Sequence, residues 1–167
     1  MLQDSFDYSS FIYVGIIAGG ADLQRSYPEF GHGGIAYGRY YWHSFADNLV
    51  GNTMTDALLP SVLHEDPRYY TMGRGGLIKR SIYSVSRLAI TRTDLTATNN
   101  ARNTVNLSEI IGNGAAAGLS NLYYPSKYYT WTKTGQKWVA QIALDGVANL
   151  VKEFWPDVNA HIFHSKN

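Results

Sequence analysis

Hydrophobic residues along this chain recur mainly at three- and four-residue steps, the spacing of one face of an α-helix. Five stretches carry this pattern, at about 7–24, 35–63, 77–90, 106–122 and 134–155. A strand is suggested only by a short candidate at 128–131. We therefore predict an all-α fold, a bundle of about five helices, in a single domain that covers residues 1–167.

Proline and capping residues indicate where the helices begin and end. Asn106 is the predicted N-cap of the fourth helix, with Glu109 three residues later to complete a capping box. Pro60 should kink the second stretch, and Pro156 should stop the fifth helix. The segment 91–105 is rich in Thr, Asn and Arg, which predicts a long loop.

Two of the predicted helices are clearly amphipathic. The third carries its apolar residues, Ile78, Ile82, Val85 and Ala89, on one face. The fifth has a broader apolar stripe opposed by polar residues. The stripe consists of Val139, Ile142, Ala143, Gly146, Val147, Leu150, Val151 and Phe154, and the opposing residues are Gln141, Asp145, Asn149 and Lys152.

Glycines lie inside the helical stretches as well as between them. A glycine costs about 1 kcal/mol relative to alanine in an exposed helix, so these positions predict close approach of helix backbones. The predicted contact glycines are Gly34, Gly38, Gly112, Gly114 and Gly118. Ordinary core packing, with small residues where helices cross, is an equally weighted alternative.

The composition adds an argument about the surface. Charged residues make up only 16% of the chain, while aromatic residues make up 14%. Because Tyr and Trp favour interfaces, this combination predicts an exposed aromatic patch that contacts a protein partner, a second copy of the chain or a membrane. The predicted interface aromatics are Tyr40, Tyr41, Trp42, Tyr123, Tyr124 and Trp131.

Charge and hydropathy narrow the classes of partner. A net charge of +1 argues against nucleic acid, and the absence of cysteine excludes disulfides and thiolate metal sites. The best apolar run, at 11–21, is too short for a transmembrane helix. Acidic residues precede this run, so we interpret it as a helix of the mature protein rather than as part of a signal peptide.

The densest cluster of chemically active side chains is His64, Glu65, Asp66 and Arg68. An imidazole beside two carboxylates could serve acid–base catalysis in a hydrolase-like or ligand-binding enzyme. The stronger interpretation is a turn before Pro67, with Arg68 paired to Asp66 and His64 at a helix C-terminus.

Other polar residues suggest less specific chemistry. His161 and His164 share one side of a helix but supply only two ligands, so we predict no metal and no cofactor. A weaker hypothesis places a small ligand or pigment at His32 or His43. Polar residues within the second stretch either form an internal network or line a solvated face, and the sequence leaves both open. They are Asp47, Asn48, Asn52 and Asp56.

Certain segments carry a distinctive combination of residues. They read GNTMTDALLPSVLHEDPRYY at 51–70, SEIIGNGAAAG at 108–118 and KEFWPD at 152–157, with Ser-Arg at 86–87 and Thr-Arg-Thr-Asp at 91–94. Together they resemble segments of uncharacterised small acidobacterial proteins of the envelope type, over about 27–158 of this chain. The resemblance implies a location in the cell envelope, periplasmic or outer-membrane-associated, and implies no activity.

These observations predict a non-catalytic helical protein that assembles with partners. It is expected to be a structural component of the cell envelope, either membrane-associated or a subunit of a homo-oligomer or larger complex. The alternative is an enzyme that uses His64, Glu65, Asp66 and Arg68.

Overall fold

A computed structural model describes residues 8–94 and 102–163 of the chain. Its helices are α1 (Tyr8–Leu23), α2 (Gly34–Asn52), α3 (Leu59–Leu63), α4 (Leu77–Ser86), α5 (Leu107–Ser120) and α6 (Trp131–Phe163). A π-helical segment, Thr53–Leu58, joins α2 to α3 without a break. Two 3-10 turns, Pro28–Phe30 and Ser126–Tyr128, precede α2 and α6. The predicted all-α bundle is confirmed, since α2, the π segment and α3 form one of five helical stretches. Asp7, where the first was predicted to begin, lies outside the described residues.

The π segment lies directly before Pro60 and accounts for the irregularity predicted there. Proline has no N–H donor, and its ring clashes with the carbonyl four residues earlier in a regular α-helix. The widened turn avoids this clash, and the Leu59 amide donates to the Met54 carbonyl, five residues back. The helix therefore continues through Pro60 to Leu63, instead of ending there.

A small antiparallel sheet corrects the prediction of a loop at 91–105. Strands β1 (Glu65–Asp66), β2 (Ile90–Thr93) and β3 (Asn103–Val105) pair in that order. Glu65 lies opposite Thr93, and Ile90 lies opposite Val105. The polar residues form strands because the hairpin adds to β1, which supplies partners for its backbone groups.

Three helix ends also differ from prediction. The third helix ends at Ser86 rather than near residue 90, because the chain turns there to enter β2. The candidate strand at 128–131 is the end of a 3-10 turn followed by the start of α6, where the Thr130 hydroxyl accepts from the Lys133 amide at 3.2 Å. Pro156 lies inside α6 and does not stop it.

An aromatic core lies between α1, α2 and the segment after α5. Ala18, Phe30, Tyr40 and Tyr124 form its buried centre. The Tyr40 hydroxyl donates to the Tyr27 carbonyl at 2.9 Å, which satisfies the one polar group of a buried ring. This core fixes the N-terminal half, whereas α4 and α6 pack on each other in a different way.

Candidate interaction surface

Helix α4 is oriented with its apolar side outward and its polar side inward. The predicted apolar face is exposed, with Ile78 74% and Ile82 65% accessible to solvent. By contrast, Arg80 is only 7% accessible and Ser84 is fully buried. An apolar stripe usually faces the core of a globular domain, so this orientation is inverted.

A buried ionic cluster explains the orientation of α4. The Arg80 guanidinium donates to the Glu153 carboxylate at 2.9 Å and to the Glu153 carbonyl at 2.5 Å, and it also pairs with Asp157. The ring of Phe154 lies 4.5 Å below the guanidinium carbon. Because these partners flank Pro156, they stabilise α6 where proline removes a backbone donor. Pro156 thus lies in a turn of α6 that is held against α4.

Glu153 is completely buried and has a full set of hydrogen-bond donors. Besides Arg80, it accepts from the Tyr69 hydroxyl at 2.9 Å and from the amides of Met72 and Gly73 at 2.9 and 3.2 Å. Burial by itself raises the pKa of a carboxyl group. Here the donors, with Arg80 foremost, outweigh burial and lower the pKa of Glu153 below its usual value. Glu153 is therefore ionised and anchors α4 to α6.

Helix α6 is inverted only in part, because Gly146 of its predicted apolar stripe is buried and Ile142, Leu150 and Phe154 are half-buried. Asp145, Asn149 and Glu153, spaced four residues apart, form a row that is partly or fully buried. The outer side carries exposed apolar residues, among them Val147 at 54% and Val151 at 56%. The inner row is thus more polar than the surface it supports.

The two outer surfaces face in different directions. We define the α4 face as Leu77, Ile78, Ile82 and Val85, and the α6 face as Val147, Val151 and Trp155; all seven are exposed. Residues two apart on a helix are separated by about 200°. Ile78 and Ile82 therefore lie opposite Arg80, and Val151 and Trp155 lie opposite Glu153. Since Arg80 and Glu153 bind each other, the two faces point away from their mutual contact.

A second buried polar group links α5 and α6. The Asn113 side-chain amide donates to the Glu109 carboxyl and to the Asp145 carboxyl, each at 2.9 Å. Burial raises the pKa of both acids, and each acid affects the other; for Glu109, Asp56 raises it further. Lys152 acts on Asp145 in the opposite direction, but neither acid has an ion pair among the described residues. The pair therefore retains a proton at neutral pH.

The predicted contact glycines fall into two groups. A Cβ atom on Gly112 would lie 2.9 Å from the Thr55 Cγ2 atom, and one on Gly114 would lie 3.3 Å from the Trp138 ring. Gly112 makes the predicted approach to a backbone, since its Cβ would also lie 3.2 Å from the Thr55 Cα and N atoms, whereas Gly114 packs on a side chain. At Gly34, Gly38 and Gly118 a Cβ would meet no atom of the described residues within 4 Å, so these three make no close contact within the described part of the chain. Their helix surfaces face open space.

The predicted interface aromatics also fall into two groups, one exposed and one buried or partly buried. Trp131 is 94% accessible and Trp42 is 58% accessible, consistent with the prediction of exposed rings. Tyr40 and Tyr124 are buried, and Tyr41 and Tyr123 are partly buried, so these four do not form an exposed patch. These rings are buried or half-buried because their hydroxyl groups find hydrogen-bond partners inside the protein.

Asp47 joins the buried tyrosines in an internal network. Its two carboxylate oxygens accept from the hydroxyls of Tyr123 and Tyr124 at 2.6 and 2.7 Å. Burial, followed by the charge of Asp47, raises the pKa of both tyrosines. Of the two interpretations for the polar residues of the second stretch, the internal network is correct for Asp47. Asn52 donates to Asn48 at 3.3 Å on the same helix.

The acidic cluster after α3 is held in structural contacts. The Glu65 carboxylate accepts from the amides of Leu107 and Ser108 at 3.1 and 2.9 Å, and so caps α5. The Asp66 carboxylate accepts from the Arg68 amide at 3.0 Å and from the Tyr70 hydroxyl at 2.7 Å. These contacts match the turn interpretation in outline, except that Arg68 binds Asp66 through its backbone.

His64 and Asn106 complete the description of this region. His64 is the C-cap of α3 in the left-handed conformation, at φ +56°. The Asn106 side chain accepts from the Glu109 amide at 3.0 Å, which confirms the predicted N-cap. Glu109 does not complete a capping box, because its carboxyl binds Asn113 and the Asn106 amide donates to Ala89 instead.

Histidines offer no ligand set in the part of the chain that the structure describes. Both ring nitrogens of His43 lie within hydrogen-bond distance of carbonyl oxygens, those of Arg39 and Tyr123. The side chains of His161 and His164 lie outside the described residues. Within those residues, no group of three or more His, Asp or Glu side chains could hold a metal ion.

No described helix has the length and hydropathy needed to cross a membrane.

Comparison of the chain with protein-family models, with curated proteins and with solved structures gave no match.

The Arg80–Glu153 cluster was not predicted from the sequence. A signal was available, since the segment 67–93 contains six cationic residues and no acidic one. If a cation in such a segment forms an ion pair, its partner must come from elsewhere in the chain, and for Arg80 the partner is on α6.

Proposed function

We propose that this chain is a non-catalytic structural protein of the cell envelope that works by associating with partners through its α4 and α6 faces. The inversion of α4, together with the exposed apolar residues of the α6 face, carries the proposal. Contiguous exposed apolar surface usually marks an interaction site, and here it is fixed in place by a buried ionic cluster. The faces point apart, so covering both requires contacts on two sides of the molecule.

The enzymatic alternative has weaker support. A carboxylate that acts in catalysis must reach a substrate, whereas Glu65 is buried and both its oxygens cap α5. Asp66 already binds Arg68 and Tyr70. Placement in the envelope rests on the resemblance of the sequence motifs to acidobacterial proteins.

The experiment measures the molar mass of the chain by light scattering coupled to size exclusion, without detergent. We expect a complex larger than a monomer. The double variant Val147→Ser, Val151→Ser should shift the chain toward the monomer, because it removes apolar area from the α6 face while leaving the Glu153 cluster intact.

Leu23→Ser is the matched control, since Leu23 is equally apolar and 87% exposed but lies on α1. It should leave the molar mass unchanged, and circular dichroism should be the same for all three proteins. A monodisperse monomer that binds neither itself nor lipid vesicles would refute the proposed function.

A further inference from the structure

The charge of the segment around α4 differs from the rest of the chain. Residues 67–93 hold six cations and no acid, whereas the chain as a whole has a net charge of +1. Two of the cations, Arg80 and Arg87, are buried. Arg74 and Lys79 are exposed at the N-terminal end of α4, on the loop before it and in its first turn.

Acidic residues close to α4 do not cancel this exposed charge. Glu153 and Asp157 both pair with Arg80, and Asp66 accepts two hydrogen bonds at the start of the segment. Arg80 offsets one of the two carboxylates it binds, so this cluster keeps a single negative charge. The two exposed cations, Arg74 and Lys79, exceed it and leave the surface beside the apolar face with a net positive charge.

The α4 face has the form of an interfacial helix. Gly76, Leu77, Ile78, Lys79 and Ile82 line a shallow depression that is open to solvent, and Val85 continues the apolar surface one turn further. A helix that binds in the plane of a bilayer inserts its apolar side below the headgroups and places cations among anionic phosphates. At ten residues, α4 is suited to lie on a membrane rather than to span it.

We propose that the α4 face docks onto an anionic lipid bilayer, with Leu77, Ile78, Ile82 and Val85 inserted and with Arg74 and Lys79 bound to headgroup phosphates. This rests on the proposed function and names the partner of one of its two faces. A flat bilayer cannot also cover the α6 face, which points away from α4, so that face is left for a protein or a second copy of the chain.

The test is sedimentation of the full chain with vesicles of phosphatidylcholine, with and without phosphatidylglycerol. We expect binding to the anionic vesicles that weakens as salt is added. Ile78→Ser, Ile82→Ser should reduce binding by about tenfold or more, because two inserted side chains lose most of their apolar area. Lys79→Gln keeps the apolar face. It should reduce binding to the anionic vesicles about fivefold and leave binding to pure phosphatidylcholine vesicles unchanged.

The matched control is Val147→Ser, Val151→Ser, which removes a similar apolar area from the α6 face. It should bind anionic vesicles as the parent does. Equal binding to both kinds of vesicle, or equal losses from the α4 and α6 variants, would overturn the bilayer assignment. If the chain ignores vesicles but self-associates through Ile78 and Ile82, the bilayer inference fails while the proposed function stands. If it stays a monomer and binds nothing, both fail.

Discussion

The inner row of α6 buries carboxyl groups at two places, and the protein accommodates them differently. At Glu153 the carboxylate is fully enclosed and paired with Arg80. Eight residues earlier, Asp145 shares the Asn113 amide with Glu109 and has no ion pair among the described residues. The same helix face thus carries one ionised acid and one pair of acids that retains a proton.

This difference shows that burial alone does not decide the charge of a carboxyl group. Near Glu153, donors outweigh desolvation and the pKa falls. Near Asp145, a neutral amide and a second acid cannot compensate for burial, and the pKa of both acids rises. The two regions should therefore respond in opposite ways to substitution and to pH.

The largest effect is expected from Glu153→Ala. Removing the carboxylate leaves the buried Arg80 without its main partner, and breaking a buried ion pair costs about 3–5 kcal/mol. Urea denaturation monitored by circular dichroism measures the loss. Glu29→Ala, which removes an exposed pair with Lys127, is the control and should have little effect. Similar losses for the two variants would contradict the central role of Glu153.

The pH dependence of stability should have two limbs. Glu153 has a lowered pKa, so its contribution is present above the ordinary carboxyl range and is lost as the pH falls through its folded-state pKa. Glu109 has a raised pKa, so stability declines as the pH rises above that range, by up to about 1.4 kcal/mol per pH unit. Chemical denaturation across pH checks both limbs.

Glu109→Gln separates the two limbs. The amide cannot ionise, so the decline between the ordinary carboxyl range and about pH 9 should flatten, while the loss of stability at low pH is retained. Glu29→Gln should leave this decline as it is in the parent, because the pKa of Glu29 is lowered to about 2 by its hydrogen bonds to Lys127 and Tyr128. An unchanged slope over this pH range in Glu109→Gln would mean that the pair is ionised when folded.

A smaller effect is expected where α5 packs on the π segment beside the acid pair. In Gly112→Ala, the new Cβ would lie 3.2 Å from the Thr55 backbone, which cannot move aside as a flexible side chain could. We expect a loss of about 1–3 kcal/mol. Gly118→Ala on the same helix meets open space and should be neutral or stabilising by up to about 1 kcal/mol. If both changes are tolerated equally, the α5 contact is not close.

The smallest effect is expected at His64, which caps the end of α3 directly before Glu65. His64 adopts a left-handed conformation that glycine reaches without strain. His64→Gly should therefore raise the unfolding free energy, by up to about 1 kcal/mol in a thermal melt. A clear decrease would indicate that the imidazole makes a stabilising contact.

Local signals in the sequence predicted much of the secondary structure. Helical periodicity located the five stretches, and Asn106 was identified as an N-cap because its short side chain can reach the Glu109 amide. Gly112 was predicted as a contact position because glycine is costly in a helix unless something approaches it closely.

Nonlocal contacts explain what the sequence could not predict. Periodicity places Ile78 and Ile82 on one side of α4, but it cannot say whether that side faces the core; the pairing of Arg80 with α6 decides this. The sequence does not predict strand β2, because β1, one of its partners, is distant in sequence. The sequence predicts Tyr40 as an exposed interface residue, because the carbonyl that its hydroxyl binds is placed there only by the fold.

The widened turn at Thr53–Leu58 also sets the rotation of the following residues about the helix axis. A residue added to a helix advances it by about 100°, so the π turn determines the direction in which everything after it points. Glu65 follows a few residues later and reaches the first amides of α5. Deleting one residue from the turn would rotate Glu65 by about 100°, away from those amides, although Glu65 itself would still be present. The register of the helix before Glu65 is thereby tied to the capping of α5.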